Sequence, residues 1–289
     1  MKNFYRCLII TVVAVGTYIF GAFGAAVACM SSDTAKTTPL PVLMYHNITK
    51  KAALRSKYAV TAAEFESDLQ YLQKNGYTSI SVQQLTDYAY NGTPLPDRPV
   101  IITFDDGFES FYAYAYPLLE KYDCKAVVNV VGAYAKKYTE LERQGNPDCH
   151  NLDYSYLNFD EIKKLADSGI AEIGCHTYDM HTLKGRRGCG KTSGESEEAY
   201  EKALSADIAA FRQASADCLD GDSLIFAYPY GIYSPQTPDI LRKNGFIAVF
   251  DCTEKINRIS RGDISYLFHL HRYNRPGGVS SESFFAKMN

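Results

Sequence analysis

From residue 41 onward, short apolar runs alternate with amphipathic helical patterns. Pro41-Val42-Leu43-Met44-Tyr45-His46 reads as a first strand. Residues 61–75 read as a helix: Thr61 is the N-cap, Glu64 completes a capping box, Phe65, Leu69 and Leu72 fall on one face, and Gly76 stops the run. A second capping box, Ser81 with Gln84, opens a helix reaching about Tyr90. Strand-like runs then recur at 100–104, 126–131, 171–175, 224–227, 247–250 and 267–270, with helical stretches at 112–122, 160–168, 196–213 and 238–244. This β-then-α order predicts an α/β domain of about 245 residues, its mostly parallel sheet curled into a deformed (β/α) barrel. Residues 136–151 and 184–196 read as loops near one rim, and Cys149 and Cys189, one in each, are candidates for a bridge.

The N-terminus adds a different kind of segment. Lys2 and Arg6 precede an uncharged, mostly apolar stretch from Cys7 to Ala28. Such a stretch fits a signal segment or a membrane anchor spanning 1–30, with Ala26-Val27-Ala28 as a small-residue cleavage site and Cys29 leaving lipidation open. Residues 31–40 form a polar linker, and 41–289 are the catalytic domain. The domain is expected to be exported, at the cell surface or secreted, and monomeric. Six cysteines remain outside the segment without any C-x-x-C pair, which leaves disulfides and buried thiols equally open and argues against a zinc-cysteine site. A net charge of -3 without a basic block excludes nucleic acid as a partner. With no tryptophan and 23 tyrosines, any sugar-stacking surface is built from Tyr and Phe.

Polar clusters fall just past strand ends, the rim on which barrel enzymes assemble their sites. Asp105-Asp106 follow the run at 100–104, His176 follows 171–175, Tyr228-Pro229-Tyr230-Gly231 follows 224–227, and His46 ends the first strand. One carboxylate and two imidazoles can hold a divalent metal with coordination positions left open, while a neighbouring carboxylate acts on water. His176 and His181 are five residues apart, about 140° around an α-helix, so they meet at one metal only if a turn joins them. The same ligand types occur in 2-His-1-carboxylate iron oxygenases, but those bring a His-x-Asp pair on β-sandwich strands.

Thr103-Phe104-Asp105-Asp106-Gly107, His176-Thr177-Tyr178-Asp179-Met180-His181 and Phe226-Ala227-Tyr228-Pro229-Tyr230-Gly231 resemble, in order and spacing, the first three motifs of the polysaccharide deacetylases, carbohydrate esterase family 4. The histidine spacing and the opening Pro-Val-Leu-Met-Tyr-His further resemble the poly-N-acetylglucosamine (intercellular adhesin) deacetylase branch. The resemblance covers about residues 40–288 and implies a metal-dependent N-deacetylase acting on an acetylated cell-surface polysaccharide, with a peptidoglycan N-deacetylase or a catalytically impaired glycan-binding member as alternatives. It implies Asp106, His176 and His181 as ligands of one divalent ion (Zn, or Co, Ni, Mn or Fe), Asp105 as general base, and the backbone N–H of Tyr230 as oxyanion donor. Asp179 orients an imidazole or serves only as a turn residue. Tyr230, Gly231, Pro229, His46 and Arg272 are expected to contact substrate, with Arg275 as an alternative to Arg272. The family takes its general acid from a Leu-x-His near the last strand; Leu267-Phe268-His269-Leu270-His271 offers two candidates, and His271, nearer the strand end, is preferred. Two departures stand out: Ala227 occupies the place of an arginine found in many members, and the fourth motif is not visible.

Overall fold

The computed structural model describes residues 37–182 and 185–288. The expected N-terminal signal segment or anchor lies outside the described residues, and no helix among the described residues is long and apolar enough to cross a membrane. In chain order the elements are β1 (Thr38–Leu40), β2 (Val42–Tyr45), β3 (Asn47–Thr49), β4 (Ala59–Thr61), α1 (Ala62–Lys74), β5 (Thr78–Ser79), α2 (Val82–Asn91), β6 (Pro99–Phe104), α3 (Tyr116–Lys121), β7 (Ala126–Val130), α4 (Gly132–Arg143), α5 (Phe159–Asp167) and β8 (Ala171–Cys175). They continue with α6 (Glu197–Ser215), β9 (Ile225–Ala227), α7 (Thr237–Lys243), β10 (Ala248–Phe250), β11 (Asn257–Ile259), β12 (Tyr273–Asn274) and α8 (Ser281–Phe285).

Strands β10, β9, β8, β7, β6, β2 and β12 lie side by side in that order, all parallel, with β5 extending along β6. The sheet curls. Leu270 bridges Phe250 of β10 while Tyr273 and Asn274, a few residues later, pair with β2, so the segment 270–274 ties the two edges together. β6 and β7 are buried at every position, as expected of strands covered on both faces. Both capping boxes form: Thr61 with Glu64 at α1, and Ser81 with Gln84 at α2.

Four expectations need correction. Residues 38–40, assigned to the linker, form β1 against β11, because Leu40 is buried in the core. Half of the loop expected at 136–151 belongs to α4, whose Ala135, Tyr138 and Thr139 share one buried face. The run at 267–270 is not a strand; Ser265–Phe268 is a 3-10 turn that buries Leu267 and Phe268. Cys149 and Cys189 are free buried thiols, as Cys175 and Cys218 are. Cys149 sits in the 3-10 turn Pro147–His150 near acidic neighbours, whereas Cys189 bridges Tyr233 and accepts the Tyr200 hydroxyl on its carbonyl.

The C-terminal segment is locked by a buried polar knot. Arg275 donates to both oxygens of Asp68 on α1 (2.7 and 3.0 Å), which also accepts from Tyr45 and Ser281 (2.9 and 2.6 Å). Arg275 is therefore spent on holding α1 and α8 together and does not reach substrate.

Candidate active site and metal centre

Each chemical group sits where a parallel strand ends. Asp105 continues β6 by donating its N–H to Tyr45 (2.9 Å), and His176 continues β8 by donating to Val130 (2.9 Å). Immediately afterwards the backbone turns through left-handed conformations that L side chains disfavour: Asp106 has φ 71°, Thr177 φ 68° and Tyr230 φ 60°. Such strain costs on the order of 1–3 kcal/mol per residue and persists only where surrounding contacts over-determine it.

At Thr177 those contacts are visible. The N–H groups of Gly132 and Ala133, at the start of α4, donate to the carbonyls of Thr177 and Tyr178 (3.0 and 2.8 Å). Asp207, on α6, accepts from the N–H groups of Tyr178 and Asp179 (2.7 and 2.9 Å). The turn carries His181 back toward Asp106, so the five-residue spacing is bridged by a turn and not by a helix. Asp207 was not singled out from sequence; a carboxylate in the middle of a helix 26 residues after His181 carries no local signal. Replacing Asp207 with alanine strands two backbone donors, and we expect a cost of about 1–3 kcal/mol in stability together with about 10- to 100-fold weaker zinc binding, read by chelator competition. Unchanged zinc affinity would remove Asp207 from this role.

Ligand atoms of Asp106, His176 and His181 all lie within 4.8 Å of one another. The Nε2 atoms of His176 and His181 stand 3.6 and 3.1 Å from Asp106 Oδ1. His176 Nδ1 donates to the Ala227 carbonyl (2.8 Å), which leaves Nε2 with its lone pair facing Asp106, the tautomer that a metal ligand requires. Burial lowers the His176 pKa despite the two aspartates, so the ring is kept neutral. For His181 burial also lowers the pKa, but Asp106 outweighs it and the net shift is upward. A cation held there would compete with a proton for this ring nitrogen. The donor set, with its one carboxylate and two imidazoles, fits a divalent transition ion. Asp179 is exposed, and among the described residues no hydrogen bond or ion pair joins it to either ring; Tyr134 and Tyr230 lie against His181, their hydroxyls 3.4 and 3.3 Å from its Nδ1.

Asp105 is 2% exposed and held on both oxygens. Arg272 reaches it through two parallel bonds (2.7 and 2.8 Å), and Asn129 Nδ2 donates to Oδ1 (2.8 Å). Asn129 fits because residue 174 is glycine: a Cβ there would stand 2.1 Å from Asn129 Oδ1. Burial alone would raise the Asp105 pKa, but the Arg272 guanidinium, helped by His176, holds the carboxyl well below the usual range. The net shift favours the ionised form of Asp105.

The expected substrate contacts divide. His46, Asp105, Asp106, His176, His181 and Tyr230 line one cleft of about 1070 Å³, together with Met44, Tyr58, Arg187 and Glu254. Tyr230 lays its ring against His181 (4.6 Å between centroids) with Arg187 over its face (5.3 Å). Arg272 does not belong to this wall. It is fully buried, and all five of its N–H groups have partners: Asp105, Thr103, the Asp251 carbonyl and Cys252. Arriving from the seam between β10 and β12, it supplies beside Asp105 the positive charge whose absence Ala227 suggested. Pro229 is buried and Gly231 packs against Cys252, where a Cβ would stand 2.7 Å from the Cys252 Cβ; neither lines the cleft.

His271 lies outside the cleft as well. Its Nδ1 is held by Asp251 (2.9 and 3.1 Å), and Asn257 clamps its backbone N–H and carbonyl. His269 is exposed at the end of the 3-10 turn. By contrast His46, at the end of β2, faces the cleft with a buried Nδ1 that has no partner among the described residues. Its pKa is lowered by burial against the pull of Asp105 and Asp106.

Comparison with known proteins gives a family for the chain. The polysaccharide deacetylase family model matches residues 92–249. Among curated proteins, the poly-beta-1,6-N-acetyl-D-glucosamine N-deacetylase of Escherichia coli K12 is 27% identical over 139 residues, 48% of this chain and 20% of that protein. The protein of the same name from Staphylococcus aureus MRSA252 is 26% identical over 198 residues, 68% of this chain and 62% of that protein. The chain thus spans less than two thirds of the length of these relatives. Among solved structures, IcaB from Ammonifex degensii superposes with a TM-score of 0.69 at 29% identity, covering 87% of this chain and 97% of that one.

Proposed function

The chain belongs to the polysaccharide deacetylase family, and on that premise we propose that it is a metal-dependent hydrolase removing N-acetyl groups from a cell-surface N-acetylhexosamine polysaccharide, poly-β-1,6-N-acetylglucosamine or a close relative. The observation that carries the reading is the convergence of Asp106, His176 and His181 within 4.8 Å of one another beside an Asp105 fixed by Arg272. Residues 1–30 serve as the export signal or anchor, and 41–289, with β1 added, form the catalytic domain.

Asp106, His176 and His181 hold the ion. When bound, a divalent ion polarises the acetamide carbonyl and acidifies the attacking water. Asp105 accepts the water proton as it attacks; because Arg272 and Asn129 occupy defined edges of the carboxylate, its orientation is set before substrate arrives. The negative charge developing on the carbonyl oxygen is received by the backbone N–H of Tyr230. Collapse of the tetrahedral species requires a proton on the leaving amine, and we assign to His46 the relay of the proton that Asp105 has taken from the water, since burial disfavours a charged ring of its own. His46 and Asp105 line the same cleft, whereas His271 pairs with Asp251 and does not line it. The sequence signal for His46 was its strand-end position on the same rim as Asp105. Arg272 also answers one of the two departures behind an impaired, binding-only member, since the charge missing from Ala227 is supplied from elsewhere.

His46→Ala is expected to slow release of acetate from an N-acetylglucosamine oligomer by about 10²-fold or more, while an aryl acetate, whose leaving group needs no proton, is hydrolysed near the unmodified rate. Equal losses on both substrates would rule out His46 as the acid. The overall reading is tested by acetate release from poly-β-1,6-N-acetylglucosamine oligomers and peptidoglycan, using metal-stripped protein reloaded ion by ion. Activity is expected on the former, lost on chelation and restored by zinc or cobalt; release from peptidoglycan alone would reassign the substrate.

A further inference from the structure

A second cluster of donors lies on the far side of the Asp105-Asp106 turn. Glu109, His150 and Glu161 bring ligand atoms within 4.8 Å of one another. His150 Nδ1 is 2.6 Å from Glu109 Oε1, and its Nε2 is 3.8 Å from Glu142 Oε1. Three carboxylates thus surround one imidazole, and among the described residues no lysine or arginine pairs with any of the three. Glu109 is 5% exposed, and its second oxygen, Oε2, is buried without a hydrogen-bond partner. Glu161 is 7% exposed and uses one oxygen in the capping box of α5, accepting from Asn158 N–H (3.1 Å). Two like charges, Glu109 and Glu161, held out of water with an unused acceptor cost free energy unless a cation or a proton completes them. Burial pushes the Glu161 carboxyl up to about 7 and raises that of Glu109, the response expected of carboxylates short of positive charge.

We propose that Glu109, His150 and Glu161, with Glu142 at the rim, form a second divalent-cation site that clamps the segment 146–158 to the active-site turn. An imidazole among carboxylates selects a borderline transition ion such as Zn²⁺ over Ca²⁺ or Mg²⁺, which prefer oxygen donors throughout. The place of the cluster gives the ion its consequence. Glu109 lies three residues after Asp106, and the two segments are stitched by backbone bonds from Glu109 N–H to Ser155 and from Leu157 N–H to Gly107 (2.9 and 2.8 Å). Between them Phe108 stacks on Tyr156, which contacts Tyr134, whose hydroxyl reaches His181. An ion holding His150 to Glu109 fixes this chain of rings behind the first metal centre.

The test uses full-length, metal-stripped protein titrated with Zn²⁺ at buffered low free concentration. His150→Ala, at a half-exposed side chain, is expected to bind one equivalent fewer than the unmodified chain, and Glu109→Gln, which preserves shape, to do the same. In a His176→Ala/His181→Ala background, where the first centre is disabled, Zn²⁺ is expected to slow proteolysis within 146–158, and the added His150→Ala to abolish that protection. Equal zinc stoichiometry with and without His150, or proteolysis of 146–158 indifferent to zinc in that background, would overturn the proposal. Failure of the first centre would show separately, as no equivalent lost on removing His176 and His181.

Discussion

Asp105→Asn is expected to lower acetate release by about 10²- to 10⁴-fold while leaving zinc content unchanged. Asparagine preserves the size of the side chain but has no basic oxygen for the water proton, and Asp106, His176 and His181 are untouched. Mass spectrometric metal content and steady-state kinetics on the same preparation separate the two effects: kcat falls, KM holds. Retained turnover would reassign the base. Because Arg272 holds the Asp105 pKa below the usual carboxylate range, an acid limb in the pH profile of the unmodified chain is expected to report the loss of histidine-bound metal and not titration of Asp105.

Arg272→Met is expected to be the most disruptive single change on stability. The guanidinium is fully buried, and its removal leaves Asp105 as an uncompensated buried charge, with a cost of about 3–5 kcal/mol. The Asp251 carbonyl and the Thr103 hydroxyl lose a donor in the same step. Denaturant unfolding measures the loss. Because the two side chains act as a pair, combining Arg272→Met with Asp105→Asn is expected to cost less than the sum of the single changes. Additive costs would show that the charge pair contributes nothing beyond its separate packing. Activity of Arg272→Met also falls, since Asp105 loses the two parallel bonds that fix its orientation.

The legibility of this chain depended on the range over which each signal acts. The capping boxes at Thr61 and Ser81 are local, made within four residues, and both form where the letters place them. Strands β6 through β10 were readable because burial forces mostly apolar runs, broken only by polar positions such as Asn129 in β7 and Glu172 in β8. The helix α4 escaped because its buried face is carried by Gly132, Ala135, Tyr138 and Thr139, residues that do not stand out as an apolar stripe.

Sequence alone determined the parallel α/β order, the rim on which Asp105, Asp106, His176 and Tyr230 gather, and the need for a turn between His176 and His181, since strand-end position and residue spacing are properties of the chain itself. Only the tertiary structure decided which side chains face the cleft and which face one another. Arg272 and His271 are adjacent letters at the seam of the curled sheet; one points inward to Asp105 and the other is captured by Asp251. Asp207 supports the histidine turn from a distant helix, and His46 rather than His271 meets the cleft. These outcomes follow from curling the sheet until β10 and β2 share one neighbour, a contact between residues more than 200 positions apart, which no local pattern encodes.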